Sequence, residues 1–408
     1  MPSVPELQKN PRVYLDHNAT TPLAPSLKQR WPDLFELWGN PSSIHTDSRP
    51  AKQWLRETRQ KIATILGCSP LEIIFNSGAS EGNNTVFKSV WSLLLQNNSS
   101  NGLSNNVNQR NEFIVSQIEH PSVIKTAEYL ETCGAVVHYV PVSKTGDLDL
   151  EFIKNKLSDK TALVSVMYAN NETGTIFPIE QISKMAHAAG ALMHADCVQL
   201  FGKSTVDFKT LNVDYATFSA HKFYALKGTG FAYVKKNSPW VPLVHGGGQE
   251  RSRRGGTENI LGVAALGIAL ENFDQFEQKI KTMTDLRNKM EEEILKLIPD
   301  VTITCAESSR LSNTSSLVIN GVDGETLLMS LDLKGFAVST GAACSSGNPE
   351  PSPVLLAIGL TRDEAQNSLR ISLGWQNTQQ EVDMFVSTLE ATVKKLRDIN
   401  SKEKNYDI

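Results

Sequence analysis

Short apolar runs alternate with amphipathic stretches through the first 240 residues, and this alternation predicts the fold. The runs are too short for buried helices and are rich in β-branched and aromatic residues, so they predict strands. The predicted strands are 73–75, 113–115, 136–140, 162–167, 191–195, 213–218 and 230–234. The predicted helices are 50–66, 83–95, 121–133, 149–157 and 178–189. Apolar strands separated by helices predict an α/β fold whose mainly parallel sheet is covered on both faces.

The pattern changes after residue 257. Helical periodicity continues over 260–298 and predicts one long helix, after which strands and helices follow without strict alternation, as in an α+β domain. We place a domain boundary inside that helix. The predicted divisions are an N-terminal arm (1–15), a large domain (16–265) and a small C-terminal α+β domain (266–408). The polar, low-complexity stretch 96–111 predicts an exposed loop without a catalytic role.

Composition narrows the class of function. Lys and Arg total 40 against 44 Asp and Glu, so the net charge is −4 and no general nucleic-acid or membrane-surface binder is indicated. The chain begins without a secretory pattern and no apolar run could span a bilayer, so we expect a cytoplasmic protein. Its five cysteines form no Cys-x-x-Cys pair, which argues against a zinc site or a disulfide framework.

Lys222 is the first candidate for chemistry. It follows the predicted strand 213–218, at the strand end where open α/β sheets place ligands. Partial burial there lowers a lysine pKa and makes the amine a nucleophile or base, although a surface loop lysine is the commoner case. Asp196 ends the preceding strand, and parallel neighbours would bring it to the same edge. A lysine that forms a Schiff base and an acid that holds a pyridinium proton suit pyridoxal phosphate, while Asp196 as a helix cap stays open.

The turn 77–82 is a candidate for the anion site that this cofactor needs, although such turns are also common for geometric reasons alone. It lies between a predicted strand and a helix, where backbone N–H groups bind phosphate. Ser219 and His221 flank Lys222 and are candidates to donate hydrogen bonds to the same phosphate. His120 follows the strand 113–115 and is a candidate to stack on a cofactor ring, or an ordinary polar residue.

Two further residues stand out in the C-terminal part. Cys344 lies among small, flexible residues, where a thiol is exposed and becomes a nucleophile if it ionises, or is an incidental loop cysteine. Arg370 lies inside an apolar strand, so it binds either a substrate carboxylate or a structural carboxylate. The glycine- and arginine-rich segment 245–257 either binds anions or is a solvated loop.

Together these motifs resemble the cysteine desulfurases of the NifS/IscS type, within the class V aminotransferase family of pyridoxal-phosphate enzymes. The resemblance covers residues 14–373, and the residues 339–347 around Cys344 resemble the longer cysteine loop of that group. The matching motifs are Tyr14-Leu15-Asp16, Gly39-Asn40-Pro41-Ser42-Ser43, Asn170-Asn171-Glu172-Thr173-Gly174, His194-Ala195-Asp196, Ser219-Ala220-His221-Lys222 and Gly256-Thr257.

The resemblance implies a fold-type-I large domain with a seven-stranded sheet, a mobile cysteine loop at 339–349 and a role for each site residue. Lys222 would hold the cofactor and move protons at the substrate Cα, and Cys344 would take the sulfur as a persulfide and release alanine. The other implied roles are Asp196 on the pyridine nitrogen, Gln199 on the ring hydroxyl, His120 stacked on the ring, Ala79, Ser80, Ser219 and His221 on the phosphate, Thr257 on the phosphate of the other subunit of a homodimer, and Asn171 and Arg370 on the substrate carboxylate.

The same resemblance implies L-cysteine as substrate and a sulfur-acceptor or iron–sulfur scaffold protein as partner, for iron–sulfur cluster assembly or tRNA thiolation. No metal is expected beyond a transient contact of Cys344 with an iron–sulfur cluster. Ser80, Gly82-Asn83 and Ala225-Leu226 depart from the usual family residues, although Ser80 keeps a hydroxyl for the phosphate. A selenocysteine lyase, another lyase or aminotransferase of this fold and a non-catalytic sulfur-transfer scaffold stay open as alternatives.

Overall fold

The computed structural model describes residues 12–100, 110–205, 207–271, 273–340 and 350–403. The strands in these ranges are β1 Val13–Tyr14, β2 Ile73–Asn76, β3 Glu112–Ser116, β4 Val136–Val140, β5 Thr161–Ser165, β6 Leu192–Asp196, β7 Tyr215–Ser219, β8 Gly230–Val234, β9 Val301–Ile303, β10 Thr314–Ile319, β11 Phe336–Ala337 and β12 Ser368–Ser372. The helices are α1 Pro25–Gln29, α2 Trp31–Leu34, α3 Arg49–Leu66, α4 Ala79–Ser100, α5 Pro121–Thr132, α6 Leu150–Lys156, α7 Ile179–Ala188, α8 Phe208–Leu211, α9 Ile260–Ala269, α10 Phe276–Leu297, α11 Gly324–Leu333, α12 Pro353–Ala357, α13 Arg362–Gln366 and α14 Gln379–Glu403.

The large sheet has seven strands in the order β2-β8-β7-β6-β5-β3-β4. Strands β3 to β7 pair in parallel, whereas β8 is antiparallel to both β7 and β2. The predicted α/β fold with a mainly parallel sheet is therefore confirmed, with one antiparallel strand inserted near an edge.

Helices cover both faces of this sheet because successive strand residues point to opposite sides. On β2, Ile73 and Phe75 join the core beneath α3, α7 and α9, while Ile74 joins the core beneath α4 and α5. Helix α3 ends where Gly67 adopts a left-handed conformation (φ 62°), as the sequence predicts for a glycine at that position.

The predicted long helix over 260–298 is wrong, because two helices occupy that stretch. Helix α9 is apolar on all sides and packs inside the large core, whereas α10 is amphipathic. Packing passes from the first core to the second along α10, since Phe276 belongs to the first and Leu286 to the second. The proposed division into domains stays a prediction.

The second core lies between helices α10, α11 and α14 and the antiparallel sheet β12-β10-β9. Strand β1 pairs in parallel with β11, and Val13 and Leu15 are buried in this core. The end of the predicted N-terminal arm is thus packed against the C-terminal part, and residues 1–11 lie outside the described residues.

Two other predicted segments, the polar loop and the cysteine loop, lie partly outside the described residues. Helix α4 continues through Ser100, so the predicted loop 96–111 is wrong for residues 96–100, and residues 101–109 lie outside the described ranges. Cys344 also lies outside them, as do residues 404–408 of the tail. None of the helices in the described part of the chain combines the length and apolar character that a bilayer crossing requires.

Candidate active site

Lys222 lies at the edge where β6 and β7 end. The two strands are parallel neighbours, with Asp196 in register with Thr217, so both deliver their C-terminal residues to the same side. A short 3₁₀ turn, Ala220–Lys222, follows β7. The Lys222 Nζ donates to the carbonyl oxygens of Asn18 (2.6 Å) and Ala19 (2.7 Å). The amine is therefore held in one place by backbone carbonyls of the N-terminal turn.

A cavity of about 300 Å³ opens beside Lys222. It gathers every site residue predicted from the sequence except Thr257 and Cys344. The gathered residues are Ala79, Ser80, His120, Asn171, Asp196, Gln199, Ser219, His221, Lys222 and Arg370.

Asp196 is buried, with 5% of its surface exposed, and accepts two hydrogen bonds. Its Oδ1 accepts from the backbone N–H of Val198 (3.0 Å) and its Oδ2 from the side-chain amide of Asn83 (2.9 Å). Both donors hold the carboxyl group in one orientation at the cavity wall. The bond to Val198 closes a local turn, so Asp196 shapes the chain as well as lining the cavity.

Asn83 is a site residue to which the sequence analysis assigned no role. It is fully buried on α4, where its Nδ2 donates to Asp196 and to Ser122 Oγ (2.9 Å) and its Oδ1 accepts from Thr217 Oγ1 (2.6 Å). The available signal was its spacing from Phe87, which places a polar amide on the apolar face of the helix.

His120 caps the N-terminus of α5. Its Nδ1 accepts from the backbone N–H of Ser122 (3.1 Å), which leaves the ring proton on Nε2. Burial lowers the pKa of His120, and Lys222 lowers it further against the opposing effect of Asp196. The imidazole is therefore a neutral ring with a fixed orientation beside the cavity.

Glu119 supports the same wall from behind. Burial, followed by the charge of Asp196, raises the pKa of Glu119 well above its ordinary value. Its Oε1 accepts from the backbone N–H of Met167 (2.5 Å), and its buried Oε2 has no hydrogen-bond partner among the described residues. Burial and the nearby Asp196 therefore both favour the neutral form of Glu119.

The turn 77–82 ends in the first residues of α4, as predicted for an anion site. Gly78 has φ 144°, a conformation that favours glycine, and the Ala79 N–H donates to Ser219 Oγ (2.9 Å). Helix N-termini present N–H groups and a positive dipole end to an anion. Burial, then the nearby lysines, lowers the pKa of His221 to about 4, so its ring is neutral.

Arg370 reaches the cavity from β12, in the small sheet. Its guanidinium is 1% exposed and donates to Asp16 Oδ1 (2.8 Å) and to the carbonyl oxygen of Asn171 (3.2 Å). Asp16 is thus a structural carboxylate partner of Arg370, one of the two alternatives that the sequence left open. Its buried Nε, however, has no hydrogen-bond partner among the described residues. A donor left over at a cavity wall is what an anionic ligand would use.

Thr257 lies elsewhere. It is exposed and lines a second cavity of about 230 Å³. Asn76 and Ser77, at the start of the turn 77–82, line the same cavity. Cys344 lies outside the described residues, so its predicted position next to the substrate stays a prediction.

The donor set fits pyridoxal phosphate. A lysine amine, a carboxyl group, a neutral imidazole ring and a helix N-terminus line one cavity, and the Arg370 Nε adds a hydrogen-bond donor for a carboxylate. Asn18 and Lys203, two further residues that the sequence reasoning missed, hold Lys222 and Gln199 from beneath.

The chain is similar in sequence and structure to known proteins of one enzyme family. Residues 13–385 match the family described as Aminotransferase class-V. A cysteine desulfurase of Nostoc sp. is 39% identical over 387 residues, 94% of each protein. The cysteine desulfurase IscS of Dictyoglomus turgidum is 39% identical over 97% of this chain and 98% of its own. A solved NifS-like protein superposes with a TM-score of 0.85 at 36% identity, over 94% of this chain and 99% of that one.

Proposed function

The chain belongs to the aminotransferase class-V family, and from that membership we propose that it is a cysteine desulfurase that uses pyridoxal 5'-phosphate and converts L-cysteine to L-alanine. The observation that carries the proposal is the single cavity in which Lys222, Asp196 and Arg370 meet. Asp196 ends β6, Lys222 lies in the turn after β7 and Arg370 lies in β12 of the small sheet, so three separate elements bring them to one cavity.

The proposed cofactor site uses the residues that line the cavity. Asp196 would face the pyridine nitrogen and Gln199 the ring hydroxyl, while the neutral His120 would stack on the ring. The proposed phosphate ligands are Ala79, Ser80, Ser219 and His221. When bound, pyridoxal phosphate supplies an electron sink for the carbanion at the substrate Cα.

Lys222 would hold the cofactor and, once substrate displaces it, move the proton at the substrate Cα. The carbonyl oxygens of Asn18 and Ala19 keep its amine at the cavity wall, which shortens the search for a productive geometry. Asn171 and Arg370 would hold the substrate carboxylate. The ion pair with Asp16 fixes the guanidinium and leaves its Nε for the ligand.

Cys344 would complete the reaction. Its thiolate attacks the substrate sulfur, so a sulfur–sulfur bond forms as the substrate Cβ–S bond breaks. The electron pair of the broken bond returns to the substrate, which gains a proton at Cβ and leaves as alanine. The persulfide on Cys344 then passes its sulfur to an acceptor protein.

We also propose a homodimer in which Thr257 serves the phosphate site of the partner subunit. Two observations support this assignment: Thr257 is exposed, and it does not line the cavity of its own chain. The acceptor is proposed to be an iron–sulfur scaffold or another sulfur carrier, with cytoplasmic residence.

The test incubates purified protein with pyridoxal phosphate, L-cysteine and a reductant, and measures alanine and sulfide. We expect a yellow protein that forms both products, and a loss of at least about a hundredfold in Cys344→Ala. Cys133→Ala is the matched control, because Cys133 is an exposed cysteine that lies on no wall of the cavity.

Three outcomes would contradict parts of the proposal. A colourless protein that binds no cofactor would leave only a non-catalytic scaffold. Full cysteine turnover in Cys344→Ala would remove the role of that thiol. Turnover of selenocysteine without turnover of cysteine would identify a selenocysteine lyase instead.

A further inference from the structure

A second lysine lies beneath the cavity. Lys203 follows β6 and is buried, with 5% of its surface exposed. Its Nζ donates to Gln199 Oε1 and to Asn18 Oδ1, the latter at 3.0 Å. Both partners are amide oxygens rather than carboxylates. A buried amine carries a large desolvation cost, so its place under the site calls for a function.

The contact with Lys203 fixes which way the Gln199 amide faces. A side-chain amide has an oxygen that accepts and an NH₂ group that donates, whereas a lysine amine directs hydrogens at its neighbours. With Oε1 toward Lys203, the Gln199 NH₂ group turns to the other side. There it lies 3.4 Å from the carbonyl oxygen of Asn18, in the residue set that lines the cavity.

The same amine orients Asn18. Asn18 Oδ1 accepts from Lys203 and from Asn313 Nδ2 (3.1 Å), so Asn18 Nδ2 faces Thr314 Oγ1 (2.8 Å) and the carbonyl oxygen of Asn171 (3.1 Å). The backbone carbonyl of Asn18 then accepts from Lys222. One buried amine thus determines the orientation of a cavity amide and of the residue that holds the reactive lysine.

We propose that Lys203 is a positioning residue, which presents the Gln199 NH₂ group to the ring oxygen of the cofactor and holds Asn18 beneath Lys222. This inference rests on the proposed function, since it assigns a role toward the same cofactor. It differs from a space-filling role, in which Lys203 would act through packing alone.

The contacts do not depend on the charge of Lys203. Burial lowers its pKa well below the ordinary value, and the charges of Lys222 and Arg370 lower it further against the opposing effect of Asp16. A neutral amine still carries two hydrogens, which is the number that the contacts with Gln199 and Asn18 require. The positioning therefore persists in either protonation state.

The experiment is a double-mutant cycle between Lys203→Met and Gln199→Ala, read out by cofactor binding to the apoprotein rather than by activity. Pyridoxal phosphate is titrated into each variant, and the pH midpoint of the visible absorbance band is measured. Met approximates the volume of Lys and lacks donors, so packing is largely retained. Lys184→Met, at an exposed helix position, is the matched control.

We expect Lys203→Met to weaken cofactor binding about tenfold and to shift the pH midpoint of the band, because an unanchored amide no longer holds its donor toward the ring oxygen. In the Gln199→Ala background the same change is expected to cost clearly less, because only the contact with Asn18 remains to be lost. Lys184→Met is expected to match the unmodified protein. Lys203→Leu, which also lacks a donor, carries the same test if Lys203→Met does not fold.

Wild-type affinity and an unshifted band in Lys203→Met would overturn the inference. An equal effect in both backgrounds would also overturn it, since Lys203 would then act independently of Gln199. Failure of the unmodified protein to bind pyridoxal phosphate would overturn the proposed function together with this inference. Normal cofactor binding with an unaffected Lys203→Met variant would overturn the inference alone.

Discussion

Two groups of ionisable side chains, one acidic and one basic, line or support the cavity. They differ in the hydrogen-bond partners of their buried polar atoms. The acidic group consists of Asp196 and Glu119. Asp196 has two N–H donors on its carboxylate, whereas Glu119 has one donor and a pKa raised well above the ordinary value. Like charges at short range disfavour double ionisation, so the charge of Asp196 adds to burial in raising the pKa of Glu119, while the hydrogen bond from Met167 opposes the shift.

The basic group consists of Lys222, Lys203 and Arg370. Lys203 and Lys222 donate to neutral carbonyl and amide oxygens, whereas the guanidinium of Arg370 pairs with the carboxylate of Asp16. An amine held by neutral oxygens can lose its proton and keep its hydrogen bonds, whereas a guanidinium stays charged. Burial is the largest cause of the pKa shifts of both Glu119 and Lys203, and neighbouring charges add to it. The comparison therefore shows that burial favours the neutral form of an acid and of an amine alike.

Removing the amine of Lys222 should have the largest effect on activity. Lys222→Ala is expected to lower cysteine turnover by at least about a thousandfold, because no other described amine lining the cavity can move the Cα proton. Alanine release measures the loss. Lys227→Ala, an exposed lysine nearby in sequence, is the control and should keep activity. Comparable turnover in the two variants would contradict the role of Lys222.

Weakening the acidic group should have an intermediate effect. Asn83→Ala removes one donor each from Asp196 and Ser122 and leaves the Thr217 hydroxyl without its acceptor. We therefore expect about tenfold lower turnover and a loss of about 2 kcal/mol in the free energy of unfolding. Kinetics and urea denaturation measure these changes. Asn84→Ala is the control, because the Asn84 amide bonds only the carbonyl oxygen of Ser80 among its described partners. Equal behaviour of both variants would mean that Asp196 does not depend on Asn83.

The smallest expected effect concerns a carboxyl group beside the basic group. Burial raises the pKa of Glu172 to about 7, with Ser352 and Arg370 opposing the shift. A carboxyl pKa that is higher in the folded state destabilises the protein as pH rises from about 4.5 to 7, because the folded state binds the extra proton. Glu172→Gln is therefore expected to be relatively more stable at pH 8 than at pH 5, by roughly 1–2 kcal/mol against the unmodified protein.

Denaturant unfolding at the two pH values measures this difference. Glu151→Gln, at a solvent-exposed position, is the control and should leave the pH dependence unchanged. Parallel stability curves for Glu172→Gln and the unmodified protein would show that Glu172 is ionised at neutral pH despite its burial.

The sequence alone determined the large sheet and the position of its reactive edge. Apolar runs and helical periodicity encode which side chains are buried, and parallel strands bring their C-terminal ends to one side. The strand pattern is therefore sufficient to place Asp196 and Lys222 at the same edge, where the structure has them. The turn 77–82 followed from the same local pattern, since glycine and small polar residues between a strand and a helix determine a tight turn. These features depend on neighbours in the chain.

The tertiary structure alone decided which buried polar groups meet. Arg370 pairs with Asp16, 354 residues away, and Lys203 contacts Asn18, 185 residues away. It also decided that 260–298 forms two helices, because α9 is buried within the first core and α10 leaves it. Periodicity specifies the face that a side chain joins, but packing between elements distant in sequence selects its partner. For this reason the sequence identified Lys222 and missed Asn83, Asn18 and Lys203, the residues that hold the site in place.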